Sequence, residues 1–212
     1  MTAIRTGHLV VFEGPDGVGK STLIKAFTEK CNANGFPAVS MSFPGKETGT
    51  LGRAVYELHH DLKKHGLESI DPLSLQLLHV AAHIDSMERR IKPFLLAGRS
   101  VVLDRFWWST WVYGVTNGAD AETLRLLIEI EKRCWKEIQP RLAVLLIRDA
   151  PFAHQPEHAI WDQLKSNYLT LGHLESKNYP VETFTNEGHT PVEATELLFA
   201  QFVKHAGIED DE

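Results

Sequence analysis

The amino-acid sequence predicts an α/β fold in which a parallel sheet of about five strands carries helices on both faces. Short apolar runs alternate along the chain with longer segments whose apolar residues recur at helical spacing, and this alternation is the pattern of βαβ units. The run Leu142–Ile147 is apolar throughout, as expected of a strand that is covered on both faces.

The predicted elements follow one another without a linker. The predicted strands are residues 9–12, 38–41, 101–103, 142–147 and 181–185. The predicted helices are residues 20–34, 48–65, 72–97, 121–138, 156–171 and 191–206. The last helix opens with a capping box, in which Thr190 and Glu193 flank Pro191 at the first helical position. We expect one domain over residues 1–207 and a solvated acidic tail over residues 208–212.

The composition is that of an ordinary globular protein of 212 residues, with 43% hydrophobic and 24% charged residues. It excludes the collagen-like and disordered classes. A formal net charge of -6 argues against a nucleic-acid partner, because binding to the phosphate backbone needs clustered lysine and arginine. Apolar runs fall short of the ~18 residues of a membrane span, so we expect no membrane partner. Two cysteines without a zinc spacing and the lack of a signal peptide favour a cytoplasmic protein.

The segment from Gly14 to Thr22 matches the phosphate-binding pattern G-x-x-x-x-G-K-[ST] between a predicted strand and a predicted helix. Glycines allow backbone N–H groups to surround an anion, and the helix N-terminus adds partial positive charge. Lys20 is expected to reach the outer phosphates of ATP, and the Ser21 hydroxyl to bind Mg²⁺. The predicted fold is therefore the three-layer P-loop NTPase fold. The predicted nucleotide-binding residues are Gly14, Asp16, Gly17, Val18, Gly19, Lys20, Ser21 and Thr22.

Asp104 and Arg105 follow the predicted strand 101–103 directly. Ligands of open parallel sheets bind beyond the carboxyl ends of the strands, so both side chains are candidates for the reaction site. Asp104 is placed to act near the metal or the acceptor, and Arg105 to neutralise phosphate charge. The alternative is an ordinary salt bridge at the end of a strand.

Together these segments resemble the thymidylate kinase family. The phosphate loop 12–22, the Asp104-Arg105-Phe106 segment with Ser109 and Tyr113, and the Phe43-Pro44 turn carry the resemblance, which runs from about residue 8 to residue 115 and returns at 162–171. It implies a homodimer that uses Mg²⁺ and transfers the γ-phosphoryl group of ATP to dTMP.

The resemblance also implies residue roles. Lys20, Asp16, Asp104 and Arg105 would be catalytic, and Asp16 would meet the sugar hydroxyl of the acceptor. Arg105 would bridge the two phosphate groups, and Tyr113 would lie under the sugar and disfavour a 2′-hydroxyl. The remaining acceptor contacts would be Phe43, Pro44, Lys46, His79, His83, Ser109 and Thr110.

The acceptor helix departs from the family. His79 stands where the family has a stacking aromatic residue, and His83 where it has an arginine for the acceptor phosphate. The two histidines share a helix face because they are four residues apart. They are candidates for the acceptor site, for a metal site, or for an ordinary solvated helix face.

The segment 149–158, where the family places a lid, holds no lysine or arginine. Arg148 and Lys46 are the candidates to replace the missing cation. A single supplied arginine is worth ~10³–10⁵ in rate in related NTPases, so the departure leaves three hypotheses open. The first is a thymidylate kinase. The second keeps the chemistry with another deoxynucleotide, a modified pyrimidine or a nucleoside as acceptor. The third is an ATP-binding module with little transfer activity.

Overall fold

The computed structural model describes residues 7–136, 138–152 and 160–207, and these form a sheet of five parallel strands in the order β2-β3-β1-β4-β5. The predicted parallel sheet is confirmed, and each predicted strand differs from the observed one by one residue or less at either end. The strands are β1 Leu9–Glu13, β2 Ala38–Ser42, β3 Ser100–Asp104, β4 Leu142–Ile147 and β5 Val181–Thr185.

Strand β1 lies at the centre of the sheet, between β3 and β4. Val11 is opposite Leu103 on one side and Ala143 on the other. All five residues of β1 are buried: the apolar run Leu9–Phe12, as predicted, and also the charged residue Glu13. Because the strands are parallel, the carboxyl ends of β1, β2 and β3 meet at one edge of the sheet, and the loops that follow them form the candidate site.

The described residues include eight α-helices, and most of them cover the two faces of the sheet. Their bounds are α1 Lys20–Ala33, α2 Leu51–His60, α3 Pro72–Ser86, α4 Lys92–Leu96, α5 Trp107–Thr116, α6 Ala121–Trp135, α7 Trp161–Glu175 and α8 Pro191–Ala206. The predicted helix 72–97 is interrupted between α3 and α4 by a π-helical turn over Met87–Ile91. The predicted helix 48–65 is shorter, and a separate 3₁₀ turn covers Lys63–His65 before Gly66 adopts a left-handed conformation. The beginning of the predicted helix 156–171 lies outside the described residues, as does the acidic tail 208–212.

Two apolar cores lie on opposite faces of the sheet, which gives the predicted three layers. Alternate residues of β1 point to opposite faces: Leu9 and Val11 pack in one core, and Val10 and Phe12 in the other. The first core includes residues of α5, α6 and α7, and the second includes residues of α1 and α8. Among the described residues, no helix has the length and apolarity to cross a membrane.

Candidate nucleotide-binding and phosphoryl-transfer site

One cavity of about 540 Å³ opens at the carboxyl edge of the sheet, and most of the predicted site residues line it. Those that line it are Asp16, Gly17, Gly19, Lys20, Ser21, Thr22, Phe43, Pro44, Lys46, His79, His83, Asp104, Arg105, Ser109, Thr110 and Tyr113. Gly14, Val18 and Arg148 are not part of its lining. The structure thus brings together two segments that are more than 80 residues apart in the chain, the phosphate loop and the residues that follow β3.

The phosphate loop closes round the Lys20 ammonium group. Gly14, Gly17 and Gly19 have φ angles of 136°, 80° and 93°, a region that L side chains adopt only with strain. A Cβ on Gly14 would lie 2.2 Å from the carbonyl oxygen of Leu146, so the loop packs directly on the backbone of β4. The Lys20 Nζ donates hydrogen bonds of 2.8 Å to the carbonyl oxygens of Gly14 and Pro15.

Lys20 is 6% exposed, and burial lowers the pKa of its ammonium group to about 8. The positive charge of Arg105 contributes to this lowered pKa, while Asp16 and Asp104 act in the opposite direction. The free protein therefore holds the Lys20 ammonium and the Arg105 guanidinium close together, and their repulsion disfavours the protonated form of Lys20. A bound polyphosphate anion offsets that repulsion, because an opposite charge favours the protonated form.

Three contacts from outside the loop fix its shape. The Trp161 indole donates a hydrogen bond of 3.0 Å to the carbonyl oxygen of Asp16. The Asn186 amide donates one of 2.8 Å to the carbonyl oxygen of Val18, and the Phe152 amide donates one of 2.9 Å to Gly17. None of these three residues was identified from the sequence, because they follow β4 or β5 in segments that carry no recognisable motif.

Ser21 and Asp104 meet across the cavity. The Ser21 hydroxyl lies 3.5 Å from the Asp104 Oδ2 and donates to it. Magnesium binds hard oxygen donors at about 2.0–2.1 Å, so two such atoms at this separation fit one ion. The two residues predicted from the sequence as metal ligands are therefore suited to Mg²⁺ by position and by donor type.

Arg105 connects the phosphate loop to the helix that follows β3. Its backbone has φ of 78°, and its amide donates to the carbonyl oxygen of Phe12. The guanidinium donates to Asp16 Oδ1 at 2.5 Å and to the Ser109 hydroxyl at 3.0 Å. Longer bonds of 3.3 and 3.4 Å reach Tyr168 and Tyr113. Arg105 is therefore held at a fixed place beside the phosphate loop, with part of the guanidinium open to the cavity.

Asp16 is kept ionised by its neighbours. Burial acts to raise the pKa of its carboxyl group, but Arg105 and Lys20 outweigh burial and hold the pKa below its ordinary value. The Tyr113 hydroxyl donates a further hydrogen bond of 3.2 Å to Asp16 Oδ2. The carboxylate is thus an acceptor with a defined direction at the mouth of the cavity.

Glu13, the last residue of β1, supports the site although the phosphate-loop motif assigns it no role. It is fully buried, and its Oε1 accepts hydrogen bonds from the backbone amides of Phe106 and Ser109 at 2.7 and 3.1 Å. Its Oε2 accepts one of 2.7 Å from the Ser109 hydroxyl. Burial raises the pKa of Glu13 in spite of the opposing charge of Arg105. Glu13 therefore fixes the beginning of α5 relative to the phosphate loop.

His83 forms part of the wall opposite the phosphate loop. It is 3% exposed, its ring stacks on Phe43 at a centroid distance of 4.0 Å, and its Nδ1 lies 3.0 Å from Glu131 Oε1. Glu131 is fully buried and also accepts a hydrogen bond from the Trp135 indole. The alternative of a solvated helix face is wrong for His83, because α6 covers it.

His79 lies in a group of imidazole rings, 5.5 Å from His59 and 6.3 Å from His83 between centroids. Burial, followed by the neighbouring histidines, lowers the pKa of His79 to about 3, so its ring is neutral at physiological pH. In the part of the chain that the structure describes, no group of three His, Cys, Asp or Glu side chains is arranged to hold a metal ion.

The two candidate replacement cations lie in different places. Lys46 lines the cavity, and its ammonium lies 4.8 Å from the ring centroid of Tyr56. Arg148 stacks on Phe152 at 3.7 Å, hydrogen-bonds to the carbonyl oxygen of Asn186 and approaches Glu187 at 3.6 Å. Residues 153–158 of the lid segment lie outside the described residues.

Comparison with known proteins agrees with this geometry. A family model described as thymidylate kinase matches residues 12–156. The chain is 36% identical over 123 residues to a thymidylate kinase of Pelodictyon phaeoclathratiforme, covering 58% of this chain and 54% of that protein. It is 32% identical over 138 residues to one of Neorickettsia sennetsu, covering 65% and 64%. These two alignments span less than two thirds of the relatives' own length.

A longer alignment joins the chain to a thymidylate kinase of Bartonella quintana, at 33% identity over 192 residues, 83% of this chain and 87% of that protein. The crystal structure of a thymidylate kinase from Ehrlichia chaffeensis matches with a TM-score of 0.69 and 20% identity, over 94% of this chain and 98% of that one. The structural likeness confirms the predicted fold. The family model and the Bartonella alignment show that this chain belongs to the thymidylate kinase family.

Proposed function

We propose that the chain is an ATP-dependent thymidylate kinase that transfers the γ-phosphoryl group of ATP to dTMP and so forms dTDP. One observation carries the proposal: a single cavity joins a complete phosphate loop, with Lys20 and Ser21, to Asp104 and Arg105 at the end of β3. Phosphoryl transfer depends on positioning and on charge neutralisation, and these residues supply both. Membership of the thymidylate kinase family supports the choice of substrate.

On the nucleotide side, the loop amides and Lys20 hold the triphosphate. Ser21 and Asp104 would hold Mg²⁺, which neutralises phosphate charge when it is bound. Lys20 must leave the carbonyl oxygens of Gly14 and Pro15 for phosphate oxygens, and the exchange favours the anion because a charged acceptor makes the stronger hydrogen bond.

On the acceptor side, Arg105 stabilises the charge that develops between donor and acceptor phosphates, and Asp16 accepts from the acceptor sugar hydroxyl. The Asp16 carboxylate suits that role because it is ionised and directed by Arg105 and Tyr113. Tyr113 packs beside the sugar, where a 2′-hydroxyl would lack room. Ser109 already bonds to Glu13 and Arg105, so it contributes to the base site by holding the start of α5 in place.

A second candidate function keeps the reaction and changes the acceptor to a nucleoside or another pyrimidine nucleotide. The acceptor wall on α3 favours it, because His79 is neutral and the Nδ1 of His83 is engaged by Glu131, so that α3 offers no arginine to an acceptor phosphate. Lys46 is then the candidate cation on that side of the cavity.

The test is ADP formation from ATP and Mg²⁺ with a panel of nucleosides and nucleoside monophosphates. Lys20→Ala and Arg105→Ala are each expected to remove most of the acceptor-dependent turnover while the protein keeps its wild-type far-UV circular dichroism. Lys25→Ala, an exposed lysine of α1, is the matched control. A preference for dTMP of less than a few-fold favours the second candidate, and unchanged turnover in either variant contradicts both.

The same proposal covers the setting of the enzyme. We propose one cytoplasmic domain over residues 1–207, with nucleotides as partners rather than nucleic acid or membrane. We also propose a homodimer, which the family resemblance and the exposed Leu77 on α3 and Leu126 and Ile130 on α6 support. Light scattering after gel filtration tests the dimer. ATP binding without acceptor-dependent turnover would instead establish a nucleotide-binding module.

A further inference from the structure

Gln76 is a buried polar residue of the cavity that no step above uses. It lies on α3 and is 4% exposed, yet it lines the cavity. Its carboxamide makes no hydrogen bond to any residue of the described ranges 7–136, 138–152 and 160–207. Thr110 of α5 lines the same cavity, is 3% exposed and likewise has a hydroxyl without a partner among the described residues.

The position of Gln76 is fixed although its polar end is free. A Cβ on Gly114 would lie 3.2 Å from Gln76 Cγ, so the aliphatic part of the side chain packs against the backbone of α5. Any larger residue at position 114 would also meet Leu124, at 2.5 Å. Glycine at this position thus makes room for the glutamine stem, and the carboxamide is held between α3 and α5.

A buried side chain usually pairs its carboxamide within the protein, whereas the carboxamide of Gln76 opens to the cavity, where its partner is water or a ligand. A packed stem with a free polar end that faces a cavity is therefore the arrangement of a ligand contact. A carboxamide offers one acceptor and one donor side by side in a plane. Its complement is a flat group with an adjacent donor and acceptor on one edge, and the edge of a nucleobase is such a group.

We propose that the Gln76 carboxamide recognises the hydrogen-bonding edge of the acceptor's pyrimidine base, with the Thr110 hydroxyl beside it. This inference rests on the proposed function and deepens it, since it names the residue that reads the base. For thymine, the amide oxygen accepts from N3–H while the amide nitrogen donates to O4. The same amide, turned over, fits N3 and the N4 amino group of cytosine, so Gln76 selects pyrimidine edges and leaves the choice between the two to other contacts.

The experiment compares wild type with Gln76→Leu, which removes both polar atoms, and Gln76→Glu, which keeps the shape and removes the donor. Calorimetry measures the Kd of dTMP, and displacement of dTMP measures the Kd of 2-deoxyribose 5-phosphate, which lacks the base. Gln163→Leu, an exposed glutamine of α7, is the matched control. Gln76→Leu loses two hydrogen bonds, whereas Gln76→Glu loses the one to O4 and places a carboxylate oxygen against that atom. Both variants are expected to weaken dTMP about 10- to 100-fold and to leave 2-deoxyribose 5-phosphate and ATP within about threefold.

Three results would overturn the inference: dTMP affinity within twofold of wild type in both variants, an equal loss for the base-free sugar phosphate, or no dTMP binding to wild type. The proposed function is judged separately by turnover. A wild-type protein that binds dTMP through Gln76 without phosphorylating it refutes the function and supports the inference. Full turnover in both Gln76 variants, with an unchanged KM for dTMP, supports the function and refutes the inference.

Discussion

Replacing Glu13 tests whether its hydrogen bonds to the start of α5 stabilise the protein. Replacing it with alanine removes the only carboxylate that accepts from the Phe106 and Ser109 amides and from the Ser109 hydroxyl, among the residues the structure describes. The buried Phe106 amide then loses its partner, at about 1–3 kcal/mol, whereas the Ser109 amide keeps its 3.1 Å bond to the carbonyl oxygen of Phe106. Arg105 also loses a neighbouring negative charge. We expect the Glu13→Ala variant to be less stable than wild type by about 2 kcal/mol at pH 7.

Urea unfolding followed by tryptophan fluorescence measures this change, with Glu29→Ala, an exposed glutamate of α1, as the control. Glu13→Gln keeps an acceptor for both amides, so we expect it to cost less than half as much. A Glu13→Ala variant within 1 kcal/mol of the control would refute the reasoning, because the hydrogen bonds to the start of α5 would then contribute little.

The change of stability with pH is an independent test of the role of Glu13. Burial raises the folded-state pKa of Glu13 above its unfolded value. The stability that this group contributes is therefore fully present below the unfolded pKa and is lost as pH rises through the folded pKa. The stability of wild type relative to Glu13→Gln should fall as the pH rises from 4 towards 7. A difference that grows with pH over this range would contradict the assignment.

Three further predictions concern neighbouring features. Gly14→Ala should lower the free energy of unfolding by about 3 kcal/mol more than Gly118→Ala, as measured by thermal unfolding. Both glycines have positive φ, but the Cβ at 14 would meet the backbone of Leu146 whereas the Cβ at 118 would meet nothing. Equal losses in the two variants would exclude the clash. Above pH 8 the Kd of ATP should rise about tenfold per pH unit, because Lys20 loses its proton. Calorimetry in two buffers should show that the protein takes up a proton when ATP binds. A Kd that does not change with pH would contradict this role of Lys20. Glu131→Ala should lower the free energy of unfolding by about 2–4 kcal/mol, because the ring nitrogens of His83 and Trp135 lose their partner. A stability equal to that of wild type in urea unfolding would show that these two contacts contribute little.

The sequence predicted the sheet well because apolar runs and a complete phosphate-loop motif are local signals. Four of the six predicted helices begin at the predicted residue, namely α1, α3, α6 and α8, and α8 also ends where predicted. Helix α5 was not predicted, since its sequence is rich in tryptophan and valine, which are weak helix formers, and tertiary packing decides its structure. The break between α3 and α4 was missed because the apolar period continues across Met87–Ile91.

The candidate site divides in the same way. The phosphate loop, Asp104 and Arg105 carry short motifs whose spacing fixes their chemistry. Gln76, Glu131 and Trp161 come from helices without a motif, and only their burial and contacts in the folded chain mark them. The placement of Arg148 against Phe152 and Asn186 likewise depends on long-range packing that no local pattern contains.

If the phosphate loop and the Asp104–Arg105 pair act on one nucleotide pair in one cavity, the γ-phosphoryl group of ATP is transferred directly to dTMP. The most direct measurement follows the labelled γ-phosphate of ATP after incubation with dTMP and Mg²⁺. We expect the label to appear in dTDP, and we expect Arg105→Ala to remove this product. Label that accumulates only as inorganic phosphate, at a rate that dTMP does not change, would contradict it.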